Sequence, residues 1–159
     1  AEEDKSDGFV TTLFTETQFK ELIEKENGLT IACDGDKIIA YAMVASWQYW
    51  SAWPLFQYMI NDLPNTKYLD ITLSVSNSYQ YGPICIDKQY RNTEVLPKIF
   101  ELSMLQMKDR YRFLITFINQ INGRSYNAHV NKLGLDVIKE FNFNNNLYYL
   151  LGYDIKTNI

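Results

Sequence analysis

The chain has 159 residues, of which 47% are apolar and 15% aromatic, and this composition favours a single folded domain over a disordered chain. Fifteen basic residues against nineteen acidic ones give a net charge of -4, which argues against a nucleic-acid-binding protein. No apolar run reaches the roughly 18 residues of a membrane span and no signal-peptide pattern begins the chain, so we expect a cytoplasmic protein without a membrane partner.

The first half of the chain predicts a helix followed by a β-hairpin. Apolar residues recur at helical spacing over residues 7–25, where we predict one helix or two short ones. Residues 29–34 and 37–46 predict two strands, joined by the two-residue turn Gly35-Asp36. The next stretch, residues 47–64, is WQYWSAWPLFQYMINDLP and contains all three tryptophans.

The second half predicts alternating strands and helices. In chain order we predict strands over residues 67–76 and 81–87, a helix over 95–107, a strand over 112–119, a short helix over 125–134, and two terminal strands joined by a turn at 144–146. The apolar run of residues 81–87 is typical of a strand buried on both faces. This order of elements predicts an α/β layer around a mixed sheet.

The chain contains two cysteines, Cys33 and Cys85, and each lies in an apolar, strand-like run. A free cysteine in such a run usually behaves as a small buried hydrophobe, so we expect both to be buried. Two cysteines without a framework of spacings indicate neither a disulfide scaffold nor a zinc site. We therefore expect no metal.

Residues 81–101, YGPICIDKQYRNTEVLPKIFE, have the layout of a phosphate-binding loop, with a strand, a short polar turn and the start of a helix. Backbone N–H groups at a helix N-terminus bind phosphate, and Arg91 would add a cation. Against this, no glycine lies between Gly82 and Gly123, and Glu94 brings a negative charge towards the phosphates. Pro97 fits the first helical turn, which favours a helix that begins near Glu94.

The ordered set of these elements resembles the GNAT superfamily of N-acetyltransferases, and the resemblance runs through most of the chain. It is carried by Ala1-Glu2-Glu3-Asp4 before the first helix, by the hairpin over residues 34–44, by Tyr90-Arg91 in the loop, and by Asn122, Ser125 and Lys132-Leu133-Gly134-Leu135. The resemblance implies one domain over residues 1–159, with a mixed, mostly antiparallel central sheet flanked by helices. It also places the family's first strand before Ala1.

The resemblance implies direct transfer of an acetyl group from acetyl-CoA to a primary amine of a small molecule or peptide. It assigns acetyl-CoA to Ile84, Cys85, Ile86, Arg91, Asn92, Thr93, Glu94, Val95, Leu96, Asn122 and Ser125. Because Asn92, Glu94 and Leu96 stand where family members have glycine or alanine, a catalytically degenerate acyl-CoA-binding module is the alternative. An aromatic-rich interaction domain without a nucleotide ligand is a third interpretation.

The family's general acid is commonly a tyrosine four residues before the glycine of its K-L-G-F element. Counting back from Gly134 gives Val130, which has no acidic proton. Counting forward from Asn122 and Ser125, in a helix one residue longer than usual, gives His129, and Tyr126 is the substitute. A structural role for His129 stays open. Asp87 and Asp70 are the candidate bases, and Asp87 is equally suited to capping the loop.

The aromatic stretch lies where GNAT acceptor sites are usually lined, and aromatic faces can hold a cation or a ring. We expect Trp47, Trp50, Trp53 and Tyr81 to border the acceptor. The alternative is that these rings cover one end of the sheet or form a patch for a homodimer.

Overall fold

A computed structural model describes residues 13–158 of the chain. The helices are α1 Glu16–Glu24, α2 Trp47–Trp50, α3 Pro54–Asp62, α4 Val95–Met107, α5 Gly123–Tyr126, which continues as a π-helical segment over Asn127–Lys132, and α6 Ile155–Asn158. The strands are β1 Leu29–Asp34, β2 Lys37–Ala45, β3 Lys67–Tyr68, β4 Ile71–Thr72, β5 Ser78–Ile86, β6 Phe113–Asn119, β7 Asp136–Phe143 and β8 Asn146–Asp154.

Six strands form one mixed sheet in the order β1-β2-β5-β6-β8-β7. Every neighbouring pair is antiparallel except β5 and β6, which run parallel. Helix α4 connects β5 to β6, as the crossover between parallel strands requires. The mixed, mostly antiparallel sheet flanked by helices is confirmed.

The two faces of the sheet carry separate cores. On one face, α1, α2 and α3 bury a cluster that includes Trp47, Trp50 and Phe113. On the other, α4 packs over a cluster that includes Tyr79 and Phe100. Both faces of the central strands β5 and β6 are covered, so their N-terminal halves are buried. A ligand can therefore reach these strands only where the sheet itself opens.

The hairpins follow the sequence prediction. Asp34 pairs with Lys37 across the turn Gly35-Asp36, and Gly35 has a φ of 60°, a conformation that glycine adopts without strain. At the other hairpin, Asn144 and Asn145 have φ values of 49° and 62°, which asparagine tolerates better than most residues. The predicted helix over residues 95–107 and the strand over 112–119 are confirmed within one residue.

Two local expectations are wrong. The strand predicted over residues 67–76 is a small hairpin of two two-residue strands, because Leu69 and Asp70 turn the chain with φ values of 50° and 65°. Cys33 is exposed because β1 is an edge strand of the sheet. Of the one or two helices predicted over residues 7–25, the structure describes α1, which begins at Glu16 with a capping box of Thr15 and Gln18, and residues 7–12 lie outside the described residues.

The proposed leading element, Ala1-Glu2-Glu3-Asp4, lies outside the described residues. None of the helices described between residues 13 and 158 is long and apolar enough to cross a membrane.

Candidate active site

A cleft opens in the middle of the sheet where β5 and β6 separate. The two strands pair only over Ser78–Gln80 and Phe113–Ile115, although β5 continues to Ile86 and β6 to Asn119. The cleft between the diverging ends has a volume of about 930 Å³. It crosses the sheet, so its walls belong to both core clusters.

The strands separate at Tyr81 because side chains take over the hydrogen bonding of its carbonyl. That oxygen accepts from the Thr116 hydroxyl at 2.7 Å and from the Gln80 amide nitrogen at 2.6 Å. On the opposite edge of β5, Ala42 pairs with Ile84 and Val44 with Tyr81, so Gly82 and Pro83 bulge out against one residue of β2. The φ of Gly82 is 104°, a value that L-residues rarely adopt.

The two ends of the cleft differ in chemistry. At the α3 end, the walls that belong to the first core cluster are apolar: Trp53, Leu55, Phe56, Phe117, Phe143 and Tyr148. At the α4 end, the lining includes Ile84, Ile86, Leu96, Arg91, Lys132 and His129. Within residues 13–158, the charged side chains that line the cleft are all cationic, namely Arg91, Arg124 and Lys132. The α4 end is therefore suited to an anion, although the whole protein is acidic.

The loop before α4 obtains its tight turn without glycine. Asn92 has a φ of 61°, the left-handed conformation that asparagine adopts more readily than most residues, and its side chain accepts a hydrogen bond from Lys132. Arg91 is anchored by its Nε, which donates to the Ile86 carbonyl at 3.3 Å. The Glu94 side chain makes no capping hydrogen bond to α4, and the Val95 N–H at the start of the helix donates to the Thr93 hydroxyl at 3.3 Å. The absence of glycine thus does not prevent a left-handed residue at this position of the loop.

His129 lies in the π-helical segment and faces the cleft, where 4% of its surface is exposed. Its Nδ1 donates to the Ser125 carbonyl at 2.9 Å, because a carbonyl can only accept. In the neutral ring Nε2 is then the acceptor, and the buried Tyr81 hydroxyl donates to it at 3.1 Å. Desolvation lowers the pKa of His129, opposed by the Ser125 hydrogen bond, and burial raises the pKa of Tyr81.

Solved structures show which fold has this arrangement. The acetyltransferase of the GNAT family from Streptococcus pneumoniae superposes with a TM-score of 0.61 and 13% identity, covering 96% of this chain and 93% of that one. The NatC complex bound to Gag peptide and CoA contains a chain with a TM-score of 0.61 and 11% identity, covering 95% and 86%. The chain has the GNAT fold.

A third structure, yncA from Salmonella typhimurium with its cofactor acetyl-CoA, has a TM-score of 0.52 and 10% identity, covering 80% of this chain and 64% of that one. No family model matches the sequence. No curated protein matches it either. At such low identities the likeness establishes the GNAT fold, and the function has to be argued from the residues of the cleft.

The GNAT fold brings most of the predicted acetyl-CoA residues together. The cleft is lined by Ile84, Cys85, Ile86, Arg91, Asn92, Leu96, Asn122 and Ser125. Thr93, Glu94 and Val95 are not among its lining residues, and Glu94 is exposed. Cys85 is exposed and not buried as expected, because β5 beyond Tyr81 has only β2 as a neighbour.

Some of the candidate acids and bases line the cleft and others do not. His129 reaches the cleft, whereas Tyr126 lies outside its lining and packs against Tyr149 with ring centroids 5.0 Å apart. Asp87 caps the turn after β5, where the Gln89 N–H and then Lys37 lower the pKa of its carboxyl. Neither Asp87 nor the exposed Asp70 lines the cleft.

The tryptophans are placed differently from the expectation. Trp47 and Trp50 are fully buried in the core, where their indole nitrogens donate to the Ser78 hydroxyl at 2.9 Å and the Gln80 carbonyl at 3.3 Å. Trp53 and Tyr81 line the cleft. The aromatic stretch therefore supports the buried half of β5 with two of its tryptophans and presents only the third to the cleft.

The polar cleft residues that sequence reasoning missed include Gln80, Thr116, Arg124 and Lys132. Gln80 lies just before the strand predicted over residues 81–87. Thr116 lies in an apolar run, where a lone polar residue signals a buried contact without identifying its partner. Lys132 was noted only as part of a motif. Within the described residues, no group of three or more His, Cys, Asp or Glu is arranged to hold a metal.

Proposed function

We propose that the protein is an acyl-CoA-dependent N-acetyltransferase that transfers an acetyl group directly to a primary amine. The observation that carries the proposal is the separation of β5 and β6 beside a cationic loop. That separation leaves the half of β5 from Gly82 to Ile86 without a β6 partner and open to a ligand that is partly amide-like and partly anionic. Acetyl-CoA has both parts, and it would supply an activated acyl group as a thioester.

The residues at the α4 end fit the donor. The freed backbone edge of Ile84, Cys85 and Ile86 can pair with the amide groups of a pantetheine arm, as a neighbouring strand would. Arg91 and Lys132 offer charge to phosphates, and the N-terminus of α4 adds its helix dipole. The Lys132 contact with Asn92 holds the π-helical segment against the loop, so the two cations lie at one end of the cleft.

Tyr81 and His129 suit the proton transfer. At neutral pH His129 is uncharged, because burial disfavours its protonated form, so its Nε2 begins the reaction as a proton acceptor. The attacking amine must lose a proton as the C–N bond forms, and the sulfur must gain one as the C–S bond breaks. We assign the relay of that proton to the Tyr81 hydroxyl and His129 Nε2, which are 3.1 Å apart.

Donor binding can be tested without any catalysis. Cys85 lines the cleft and Cys33 lies outside its lining, and both thiols are exposed. We would alkylate Cys33→Ser, which retains only Cys85, and Cys85→Ser, which retains only Cys33, with and without acetyl-CoA. Protection of Cys85 alone supports the proposed donor site. Equal alkylation rates with and without millimolar acetyl-CoA would reject it.

Turnover is measured separately, by following free CoA and acetylated amine by mass spectrometry. This readout avoids thiol reagents, which would also react with the two exposed cysteines. Protection of Cys85 with turnover of an added amine supports the transferase. Protection without turnover of any amine in a broad panel would favour the degenerate acyl-CoA-binding module.

A further inference from the structure

The α3 end of the cleft points to the chemistry of the acceptor. We propose that the acceptor is a weakly basic aromatic amine, uncharged at neutral pH, whose ring lies among the side chains of the α3 end and whose N–H is bound by Gln80. This inference rests on the proposed function, because it describes the second substrate of the same cleft. Three features of the described residues carry it: the aromatic walls, the sign of the charges, and the free oxygen of Gln80.

The walls of the α3 end form a continuous set of aromatic contacts. Phe56 meets Phe117 with ring centroids 5.6 Å apart and an interplanar angle of 67°. Phe117 meets Tyr148 at 5.6 Å and 82°. All three side chains line the cleft. An aromatic substrate can add to this edge-to-face series, which favours a planar ring over a flexible polar chain.

The charges disfavour an ammonium group. All charged side chains that line the cleft within residues 13–158 are cations, so no described carboxylate there offsets the desolvation of a bound ammonium. An alkylamine with a pKa near that of lysine, about 10.4, is neutral in only about one molecule in a few thousand at pH 7. An aromatic amine is almost entirely neutral at the same pH, because its lone pair is delocalised into the ring. The aromatic amine therefore binds in its neutral form and needs no deprotonation before it attacks.

Gln80 supplies the polar contact that such a substrate needs. Its side chain is fully buried and lines the cleft, and its Nε2 is held by the Tyr81 carbonyl at 2.6 Å. Within residues 13–158 its Oε1 has no hydrogen-bond partner, which is costly for a buried oxygen. A neutral amide oxygen accepts one N–H of an uncharged amine and leaves the nitrogen lone pair available for attack. The orphaned oxygen therefore marks where the amine binds.

The reaction balances with these groups. The amine nitrogen attacks the acetyl carbon, the C–N bond forms and the C–S bond breaks. The proton lost by the nitrogen passes through Tyr81 and His129 to the sulfur, so the products are an N-aryl acetamide and CoA with a free thiol. No oxidant, reductant or metal is needed.

Two isomeric amines test the inference with little change in size. The probes are 4-methylaniline, which is neutral at pH 7, and benzylamine, which has the same atoms and is a cation at pH 7. We expect kcat/KM for 4-methylaniline to exceed that for benzylamine at least tenfold at pH 7. Benzylamine should improve about tenfold per pH unit up to pH 9, whereas 4-methylaniline should change little. A preference for benzylamine or spermidine at pH 7 would overturn the proposal.

A carboxylate placed at the α3 end should weaken the preference for 4-methylaniline. Leu55 lines the cleft and is only partly buried, so Leu55→Asp can be tolerated. Leu102→Asp is the control, since Leu102 is 53% exposed on α4 and lies outside the cleft lining. We expect Leu55→Asp to raise the ratio of benzylamine to 4-methylaniline turnover at least fivefold, and Leu102→Asp to leave it unchanged. The same ratio in all three proteins would overturn the role given to charge.

Failure of this inference is distinguishable from failure of the proposed function. Protection of Cys85 by acetyl-CoA is measured in the same samples. Protection together with acetylation of other amines, but not of 4-methylaniline, overturns the aromatic acceptor and leaves the transferase in place. Absence of protection removes the donor site and the acceptor proposal with it.

Discussion

The two halves of β5 belong to one strand and have opposite environments. Ser78 to Tyr81 are buried, with Ser78 to Gln80 paired to β6 and Gln80 and Tyr81 paired to β2, and the indoles of Trp47 and Trp50 donate to this half. From Gly82 to Ile86 the strand has only β2 beside it, and Cys85 is exposed. The change takes place at one carbonyl, that of Tyr81. The open backbone edge from Gly82 to Ile86 is thus positioned by the buried half of β5 that precedes it.

The largest expected effect concerns the core half. Trp50 is fully buried, so Trp50→Ala should lower the free energy of unfolding by about 3–5 kcal/mol. The matched change Trp53→Ala should cost much less stability, because Trp53 is partly exposed, and should instead raise the acceptor KM. Urea denaturation and steady-state kinetics measure the two effects. A similar loss of stability in both variants would break the distinction between core and cleft tryptophans.

The second effect concerns the junction of the two halves, where Tyr81 contacts His129. We expect His129→Ala and Tyr81→Phe each to lower kcat roughly 10²-fold, the usual scale for a proton-transfer group. The double variant should be little worse than either single one, because the two residues act as a unit. Acetyl-CoA affinity should barely change in any of them.

Tyr126→Phe is the control for the relay, since Tyr126 lies outside the cleft lining, and its turnover should be near normal. If Tyr126→Phe is the more damaging variant, the helix register that we assign is wrong. If all the variants retain full activity, solvent protonates the departing thiolate.

A smaller effect concerns the loop that follows the open half of β5. Arg91→Ala should weaken acetyl-CoA by about 1 kcal/mol or less at low salt, and by less still at high salt, because Arg91 contributes charge while the loop amides contribute geometry. Lys98→Ala is the control, since Lys98 is exposed on α4 and outside the cleft lining. Calorimetry at two ionic strengths makes the comparison. An equal loss at both would contradict an electrostatic role for Arg91.

The smallest effect is a pH dependence of stability. Burial lowers the pKa of His129 in the folded protein below its ordinary value of 6.5, so the unfolded chain binds a proton that the folded one does not. Stability from this group is complete above about pH 6.5 and is lost as the pH falls through that value towards the lowered pKa. His129→Gln should flatten the dependence between pH 7 and 5. An unchanged slope would show that His129 is not the titrating group.

Much of this fold could be predicted from local patterns. The turn at Gly35-Asp36, the helix over residues 95–107 and the two terminal strands follow from turn chemistry and hydrophobic periodicity, which act over a few residues. The strand expected over residues 67–76 failed because its apolar residues serve a short turn, and two consecutive positive φ values leave no trace in hydrophobicity. The expected burial of Cys33 and Cys85 was wrong because exposure depends on which strand edges lack a neighbouring strand.

The position of His129 shows how sequence and tertiary structure share the site. Counting from Asn122 and Ser125 placed it at the cleft only if the helix held one extra residue, and the structure accommodates that residue in the π-helical segment Asn127–Lys132. The Asn122 side chain accepts from the Ser125 N–H and so anchors the start of the helix. The sequence alone could not show whether the start or the end of this helix sets its register, because both ends match the family motif.

The sequence by itself determined most of the elements, their order and the loop that joins β5 to α4, since these depend on periodicity, turn residues and caps that lie close together in the chain. Only the tertiary structure decided that Trp47 and Trp50 belong to the core, that Asn92 has a positive φ, and that the buried Oε1 of the cleft residue Gln80 has no partner within residues 13–158. The physical reason is that burial and hydrogen-bond partners are set by residues distant in the chain. For example, the Thr116 hydroxyl donates to the Tyr81 carbonyl at the point where β5 and β6 separate.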